Sequence, residues 1–468
     1  MAGAARRSSA SSLLLLQQHS SSSPPTVSLP TTVCRTTTVS FTSSPCRSNS
    51  APPLVATGAR KTHTASATTT TTTTTAPPPS HSSFPAYIKP ALARLQADVV
   101  EQLVGHGRLP PEMLLARKRS GEGEEEEGEG QPKPTMERLA RMYFERGGKL
   151  FRPTVALLMA SACNQEASHS GGSRIPDDRP AFSAHQYSLA LIAEMIHVAS
   201  LVHDDVIDEA TIRRGAPSVN GAYGNKLAVL AGDFILARAT QALCAIGRPA
   251  VISTMASIIE DLVVGEFMQM TSSLTSSKQK VNKDQRMPPP ASAPFDFAAS
   301  LAAYVAKSER KTASLFANTC QSVAMLAATN ASSLPERAAA YGREMGLALQ
   351  LVDDALDYEA AAETLGKPAA VDLKQGLVTG PLLFAARENA ALATVLTRRA
   401  NGDPADLLLL GGTTVLDAVR ATDACAQTRQ LAAKHAQRAA NIASSLRTQD
   451  GAAEALAKIA MDQLERKS

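Results

Sequence analysis

The sequence predicts an all-α fold, a single large helical bundle behind a low-complexity leader, and three observations carry that expectation. From Phe84 onward, apolar residues return at helical spacing almost to the end of the chain. The interruptions are Gly/Pro punctuation and polar inserts, which stop helices. No stretch of any weight alternates polar and apolar residues with the period of two that a half-buried strand needs.

The elements follow in chain order. Residues 1–83 are rich in Ser, Thr, Ala and Pro and contain the run Thr68–Thr75, a composition that cannot bury enough apolar surface to fold. Residues 1–97 hold no Asp or Glu, while Arg6, Arg7, Arg35, Arg47, Arg60, Lys61, Lys89 and Arg94 are positive. Basic, Ser-rich and acid-free is the composition of an organellar transit segment. The expected destination is the mitochondrion, with the plastid as the alternative. The apolar core Leu13–Leu16 is too short to favour a secretory signal. Residues 84–468 are then the folded domain, opened by the amphipathic run PALARLQADVVEQLVG. Two polar inserts, at about 120–134 (GEGEEEEGEG at its centre) and 272–295, interrupt it and read as solvated loops.

The formal net charge of +4 hides a basic leader on a mildly acidic body. An acidic body without a basic stripe argues against nucleic acid as a partner. The six cysteines are scattered with no CxxC pair, which excludes a zinc site or disulfide framework by spacing. No uninterrupted apolar run reaches the length of a membrane span, so the expectation is a soluble or peripheral protein.

Within the helical body, two acidic motifs stand about 150 residues apart. HDDVID carries Asp204, Asp205 and Asp208; LVDDALDY carries Asp353, Asp354 and Asp357. At roughly one Asp in 25 residues, chance supplies on the order of 0.04 DDxxD matches per chain, so two are a signal. Residues four apart share a helix face, so Asp204 over Asp208 forms one acidic ledge and Asp353 over Asp357 another. Carboxylates at the end of an apolar helix need a positive partner. Mg²⁺ suits them, because it takes oxygen ligands, retains waters and bridges carboxylate to phosphate.

Cations that suit phosphate surround these motifs. The segment GGKLFRP (residues 147–153) places Lys149 and Arg152 at a helix entrance, where glycines admit an anion and the helix N-terminus favours it. Arg213 and Arg214 follow the first motif; they pair with it or serve a ligand that carries both metal and phosphate. Lys311, Thr312, Gln350, Lys367 and Lys374 repeat the theme near the second. Three histidines, His185, His197 and His203, precede the first motif. A lone helical His is more often a structural residue than a ligand.

Taken together, paired DDxxD motifs, RRG after the first, GGKxxRP, KTASL (311–315) and LGKP (365–368) resemble the trans-polyprenyl diphosphate synthases. The resemblance runs from about residue 84 to the C-terminus and lies closest to the mitochondrial long-chain catalytic subunits, of decaprenyl and hexaprenyl type, that make the ubiquinone side chain. It implies an isoprenoid-synthase helical bundle with a central cavity. It implies an isopentenyl diphosphate site at Lys149, Arg152, His185 and Arg214. It further implies an allylic diphosphate and metal site at Asp204, Asp205, Asp208, Arg213, Lys311, Thr312, Gln350, Asp353, Asp354, Asp357 and Lys367. Of these, Asp204, Asp208 and Asp353 are the expected metal ligands, for about two or three Mg²⁺ ions. Leu150 stands where many members have an Arg, a subtype difference.

The implied reaction is elongation of a farnesyl- or geranylgeranyl-type allylic diphosphate by isopentenyl diphosphate units. Ala199 and Ser200, one turn before the first motif, are small enough to let a growing tail pass, which predicts a long product. The resemblance implies a homodimer, or a hetero-oligomer with a second synthase subunit, on the matrix side and peripheral to the inner membrane. Two rival readings are a terpene cyclase on the same fold and a non-catalytic partner subunit. The cyclase needs neither a second DDxxD nor Lys149 and Arg152, and a partner subunit is expected to have lost carboxylates that are all present here.

Overall fold

The computed structural model describes residues 84–104, 135–145, 150–170, 181–213, 215–274, 294–327, 333–359, 371–400, 409–410 and 413–466, all within one unit, Pro77–Ser468. The first polar insert lies outside these residues. Most of the second, 275–293, lies outside them as well.

Helices α1 (Ile88–Val104), α2 (Met136–Glu145), α3 (Phe151–Ser170) and α4 (Ala184–Ile207) build the first part. Ser183 opens α4 with a capping box: its hydroxyl accepts from the Gln186 N–H, and the Gln186 side chain accepts from the Ser183 N–H. Gln186 is fully buried and also bonds Asn164 and the Val323 carbonyl, which fixes the start of α4 against its neighbours. The last residue of the first motif, Asp208, is the C-cap, and Glu209 follows with φ 53. A non-glycine in the left-handed region at a helix end is strained.

A two-residue antiparallel hairpin, β1 (Ile212–Arg213) with β2 (Ala216–Pro217), leads to α5 (Val219–Tyr223), α6 (Asn225–Ala245) and α7 (Pro249–Leu274). Next come α8 (Phe297–Ser308), a π-helical turn (Glu309–Ala313) and α9 (Ser314–Met325). Helix α9 is buried along most of its length and packs against α3, α4, α7 and α10 (Leu334–Glu359). It is therefore the centre of the bundle, with the two motif-bearing helices α4 and α10 beside it. Gly342 and Gly346 bring α10 against this axis. A Cβ at Gly346 would stand 2.6 Å from the Ala313 Cα, so no larger residue fits without displacement. The rest comprises α11 (Val371–Lys374), α12 (Gly380–Glu388), α13 (Ala390–Ala400), a second hairpin β3 (Leu409–Leu410) with β4 (Thr413–Thr414), α14 (Val415–Arg420), α15 (Ala424–Ser444) and α16 (Ala452–Asp462). Helix α15 packs along α10 and holds it from behind. The strands amount to these two short hairpins among the described residues, so the all-α expectation holds.

One helix passes a looser test for a membrane span than an uninterrupted apolar run. Helix α6 is long and apolar enough to cross a membrane by length and composition. Its Lys226, Asp233 and Arg238 had broken the uninterrupted-run criterion. In the bundle it packs along α4, with a third of its apolar window buried.

Candidate active site

The two motifs are built alike, and in both the middle aspartate turns inward. Asp205 is 1% exposed; it accepts from the Tyr143 hydroxyl and from Arg213 Nε at 2.7 Å. Asp354 is 3% exposed; it accepts from the Tyr304 hydroxyl at 2.6 Å and from Gln350 Nε2 at 2.7 Å. A buried carboxylate with two donors is satisfied. The three aspartates of each motif therefore divide: Asp205 and Asp354 anchor the motif, while its outer members, among them the expected metal ligands Asp204, Asp208 and Asp353, stay more open. Arg213 pairs with Asp205 at 2.7 Å.

The outer carboxylates stand in different settings. Asp204 is half-buried, and burial pushes its carboxyl up to about 6, against the pull of Lys311 and with the push of Glu266 and Asp208. Asp208 is raised for the same first reason. Asp353 keeps 45% of its side chain exposed and pairs with Arg466 at 2.7 Å, a contact in the weak surface class. Asp357 accepts the Asp372 N–H at 3.2 Å. Asp372, which the sequence reading did not single out, is pushed up to about 7 by burial and by Asp354 and Asp357.

A cavity of about 190 Å³ joins the two motifs. Asp208 lines it from the first, Asp354 from the second, and Lys311, Thr312 and Gln350 from between them. Thr312 donates to Gln350 Oε1 at 2.6 Å, and Gln350 passes its amide to Asp354. Lys311 pairs with Glu266 at 2.5 Å. The π-helical turn 309–313 aims Lys311 and Thr312 here, and such turns cluster at functional sites. Gly265 on α7 lets the turn approach: a Cβ there would be 2.9 Å from the Lys311 nitrogen.

Arg152 sits at the second position of α3. Its guanidinium lies 5.0 Å over the Phe316 ring, and its buried Nε has no hydrogen-bond partner. Burial lowers it to about 10, against the pull of Glu194 and Asp353. Leu150, just before it, has φ 43. An incompletely partnered guanidinium beside a strained helix entrance suits an anion.

Lys149, Arg214 and Lys367 lie outside the described residues. His185 is not brought to the others. It is exposed at the N-terminal end of α4, 19 residues before Asp204, about 28 Å along the helix at 1.5 Å per residue. His197, seven residues before Asp204, lies about two turns away on the same face. Helical spacing alone favoured it. His203 faces the α6 backbone, 3.3 Å from the Val229 carbonyl, packed over Gly232. Ala199 is fully buried and Ser200 half-buried, its hydroxyl donating to the His197 carbonyl. Lys374 is exposed.

The donor set fits a hard divalent cation. All candidate ligands are carboxylate oxygens, and Asp204 and Asp372 are crowded enough to resist ionising. Among the described residues no group of three His, Cys, Asp or Glu side chains encloses a metal position. The carboxylate oxygens themselves suit Mg²⁺, which takes hard oxygen donors.

Comparison with known proteins agrees with this geometry. The profile of the family described as polyprenyl synthetase matches residues 133–407. An all-trans-polyprenyl-diphosphate synthase of Homo sapiens is 43% identical over 264 residues, 56% of this chain and 56% of that protein. The mitochondrial solanesyl-diphosphate synthase 1 of Oryza sativa subsp. japonica is 40% identical over 322 residues, 68% of each chain. The crystal structure of a polyprenyl synthase from Caulobacter crescentus, complexed with calcium and isoprenyl diphosphate, superposes with a TM-score of 0.57 at 26% identity. It covers 82% of this chain and 96% of that one. The chain spans a little over half the length of the mouse and human relatives it matches.

Proposed function

This chain belongs to the polyprenyl synthetase family, and from that premise we propose that it condenses isopentenyl diphosphate onto an allylic diphosphate primer, making a long all-trans polyprenyl diphosphate for the ubiquinone side chain. The observation that carries this reading is the cavity in which carboxylates of both motifs meet Lys311, Thr312 and Gln350. A single-metal binding pocket or a structural acid cluster needs no such pairing.

The allylic diphosphate occupies that cavity. Asp204, Asp208 and Asp353 would hold about two or three Mg²⁺ ions, which when bound would supply the positive charge that stabilises a leaving diphosphate. Lys311 and Thr312 donate to its oxygens, an electrostatic contribution that grows as the allylic C–O bond breaks and its electron pair leaves with the diphosphate. Asp205 and Asp354 set the motif geometry. Isopentenyl diphosphate is held by Lys149, Arg152 and Arg214, with His197 in place of His185. Its double bond attacks the allylic cation, and the proton lost in closing the new trans double bond goes to the departing diphosphate. No side-chain nucleophile takes part. Ala199 and Ser200 leave the tail a path past the first motif.

The proposed assembly is a homodimer or a hetero-oligomer with a second synthase subunit, in the mitochondrial matrix and peripheral to the inner membrane. The acid-free leader supports an organelle, and the mitochondrial designation of the rice relative supports the mitochondrion over the plastid.

The deciding experiment incubates the full chain with farnesyl diphosphate, labelled isopentenyl diphosphate and Mg²⁺. Long extractable product is expected, falling by roughly 10²–10³-fold in Asp204→Ala and Asp353→Ala. Cyclic hydrocarbon would indicate a cyclase, and no turnover, alone or with co-expressed subunits, a non-catalytic partner. Variants that elongate at the parental rate would refute the role of the acidic motifs.

A further inference from the structure

The cavity between the motifs holds a second ammonium group that the reaction described above leaves without a task. Lys307 lies on α8 four residues before Lys311, so the two side chains project from neighbouring turns toward the same space. Their surroundings differ. Lys311 is neutralised by Glu266 at 2.5 Å. Among the described residues no carboxylate forms an ion pair with Lys307, and its one hydrogen bond is a long one, 3.4 Å to the Val378 carbonyl. Its Nζ rests 5.5 Å from the Tyr304 ring centroid, and Asp354 and Asp372 line the same cavity. Burial lowers the Lys307 pKa, with Asp354 pulling the other way. A desolvated ammonium with unused donors is costly unless a ligand completes its shell.

The space it faces is small. About 190 Å³ is below the usual range for pockets that take whole drug-sized ligands, so it admits a compact polar group and excludes a prenyl tail. Gln350 adds an amide N–H, and Asp208, one of the proposed metal ligands, lines the same space. The ligand chemistry that meets all of this is a metal-bound diphosphate.

We propose that Lys307 is a further diphosphate-binding residue, donating to the leaving diphosphate of the allylic substrate and to the inorganic pyrophosphate it becomes. The assignment rests on the elongation reading for its substrate. As the allylic C–O bond breaks, its electron pair passes to the bridging oxygen, and the charge gained by the diphosphate falls beside the Lys307 ammonium. Lys311, tied to Glu266, has less net charge to offer. Lys307 is thus the cation of the pair that holds no direct ion pair, with Asp354 and Asp372 facing it across the cavity.

The test uses the full chain, with Mg²⁺ and inorganic pyrophosphate as the probe. Lys307→Met should weaken magnesium pyrophosphate binding in calorimetry by about tenfold or more and raise KM for farnesyl diphosphate by a similar factor. KM for isopentenyl diphosphate should stay within about twofold, and Lys307→Arg should recover most of the loss. Should the Met variant fail to fold, the wild-type chain decides: magnesium pyrophosphate should shield Lys307 from amine acylation, read by mass spectrometry, and isopentenyl diphosphate should not. Unchanged pyrophosphate binding, an equal rise in both KM values, or equal shielding by both ligands would overturn the assignment. A wild-type chain that binds magnesium pyrophosphate but does not elongate sinks the elongation reading and leaves this one standing. Elongation that ignores Lys307→Met does the reverse.

Discussion

At the scale of single residues, the repeated D-D-x-x-D pattern conceals a division that only hydrogen-bond partners reveal. Asp205 and Asp354 are each met by a tyrosine hydroxyl, from Tyr143 and Tyr304, 62 and 50 residues away. Hydrogen bonds to buried charged groups contribute about 1.5–3 kcal/mol. Tyr143→Phe and Tyr304→Phe should each lose that much in denaturant unfolding, at unchanged m-value. The outer carboxylates give the opposite signature. The folded pKa of Asp204, about 6, and of Asp372, about 7, lie above the ordinary value of 3.8, so the metal-free fold favours their protonated forms. Their contribution to stability is therefore lost as pH rises from about 4 to 7. The melting temperature of metal-free protein should fall across pH 5 to 7.5, and Mg²⁺ should raise it more at pH 7.5 than at pH 5. A metal increment independent of pH would contradict that assignment.

At the scale of elements, the site depends on close approach of helix backbones. The π-helical turn bearing Lys311 and Thr312 lies against Gly265 of α7, where even a methyl group would be 2.9 Å from the Lys311 nitrogen. Gly265→Ala should lower kcat by at least about tenfold with helicity intact in circular dichroism, since small displacements of a positioning element are costly to rate. A parental kcat would show that the turn tolerates the shift. Helix α4 carries the proposed length control. Ala199 is wholly enclosed, so Phe there overpacks the core as well as obstructing the tail. Ser200, half-buried, is the gentler site: Ser200→Phe should shorten the product by several isoprene units in chromatography, and an unchanged product would exclude α4 as the floor.

At the scale of the whole molecule, the outer faces of α6 and α7 show apolar side chains to solvent: Leu230 is 53% exposed, Val263 64% and Phe267 65%. These two helices are neighbours, so their exposed apolar side chains are the natural place to look for an interface. Leu230→Glu with Phe267→Glu should reduce the mass measured by light scattering to that of one chain, if these faces meet in the assembly. Removal of residues 1–83 should leave elongation activity intact, because every described site residue lies beyond them.

The sequence by itself determined the helical class and showed the two acidic motifs with cations close to them. These rest on local periodicity and on residue types whose chemistry is narrow. Lys307 was also within reach, four residues before a lysine already singled out, and His197 sat at a better helical spacing than His185. What only the tertiary structure decided is which carboxylates are held by tyrosines, that Arg213 serves Asp205, and that Asp208, Asp354 and Lys311 share one cavity. Those facts follow from helices distant in sequence meeting around α9, and partner choice and desolvation arise from that packing, not from spacing along the chain.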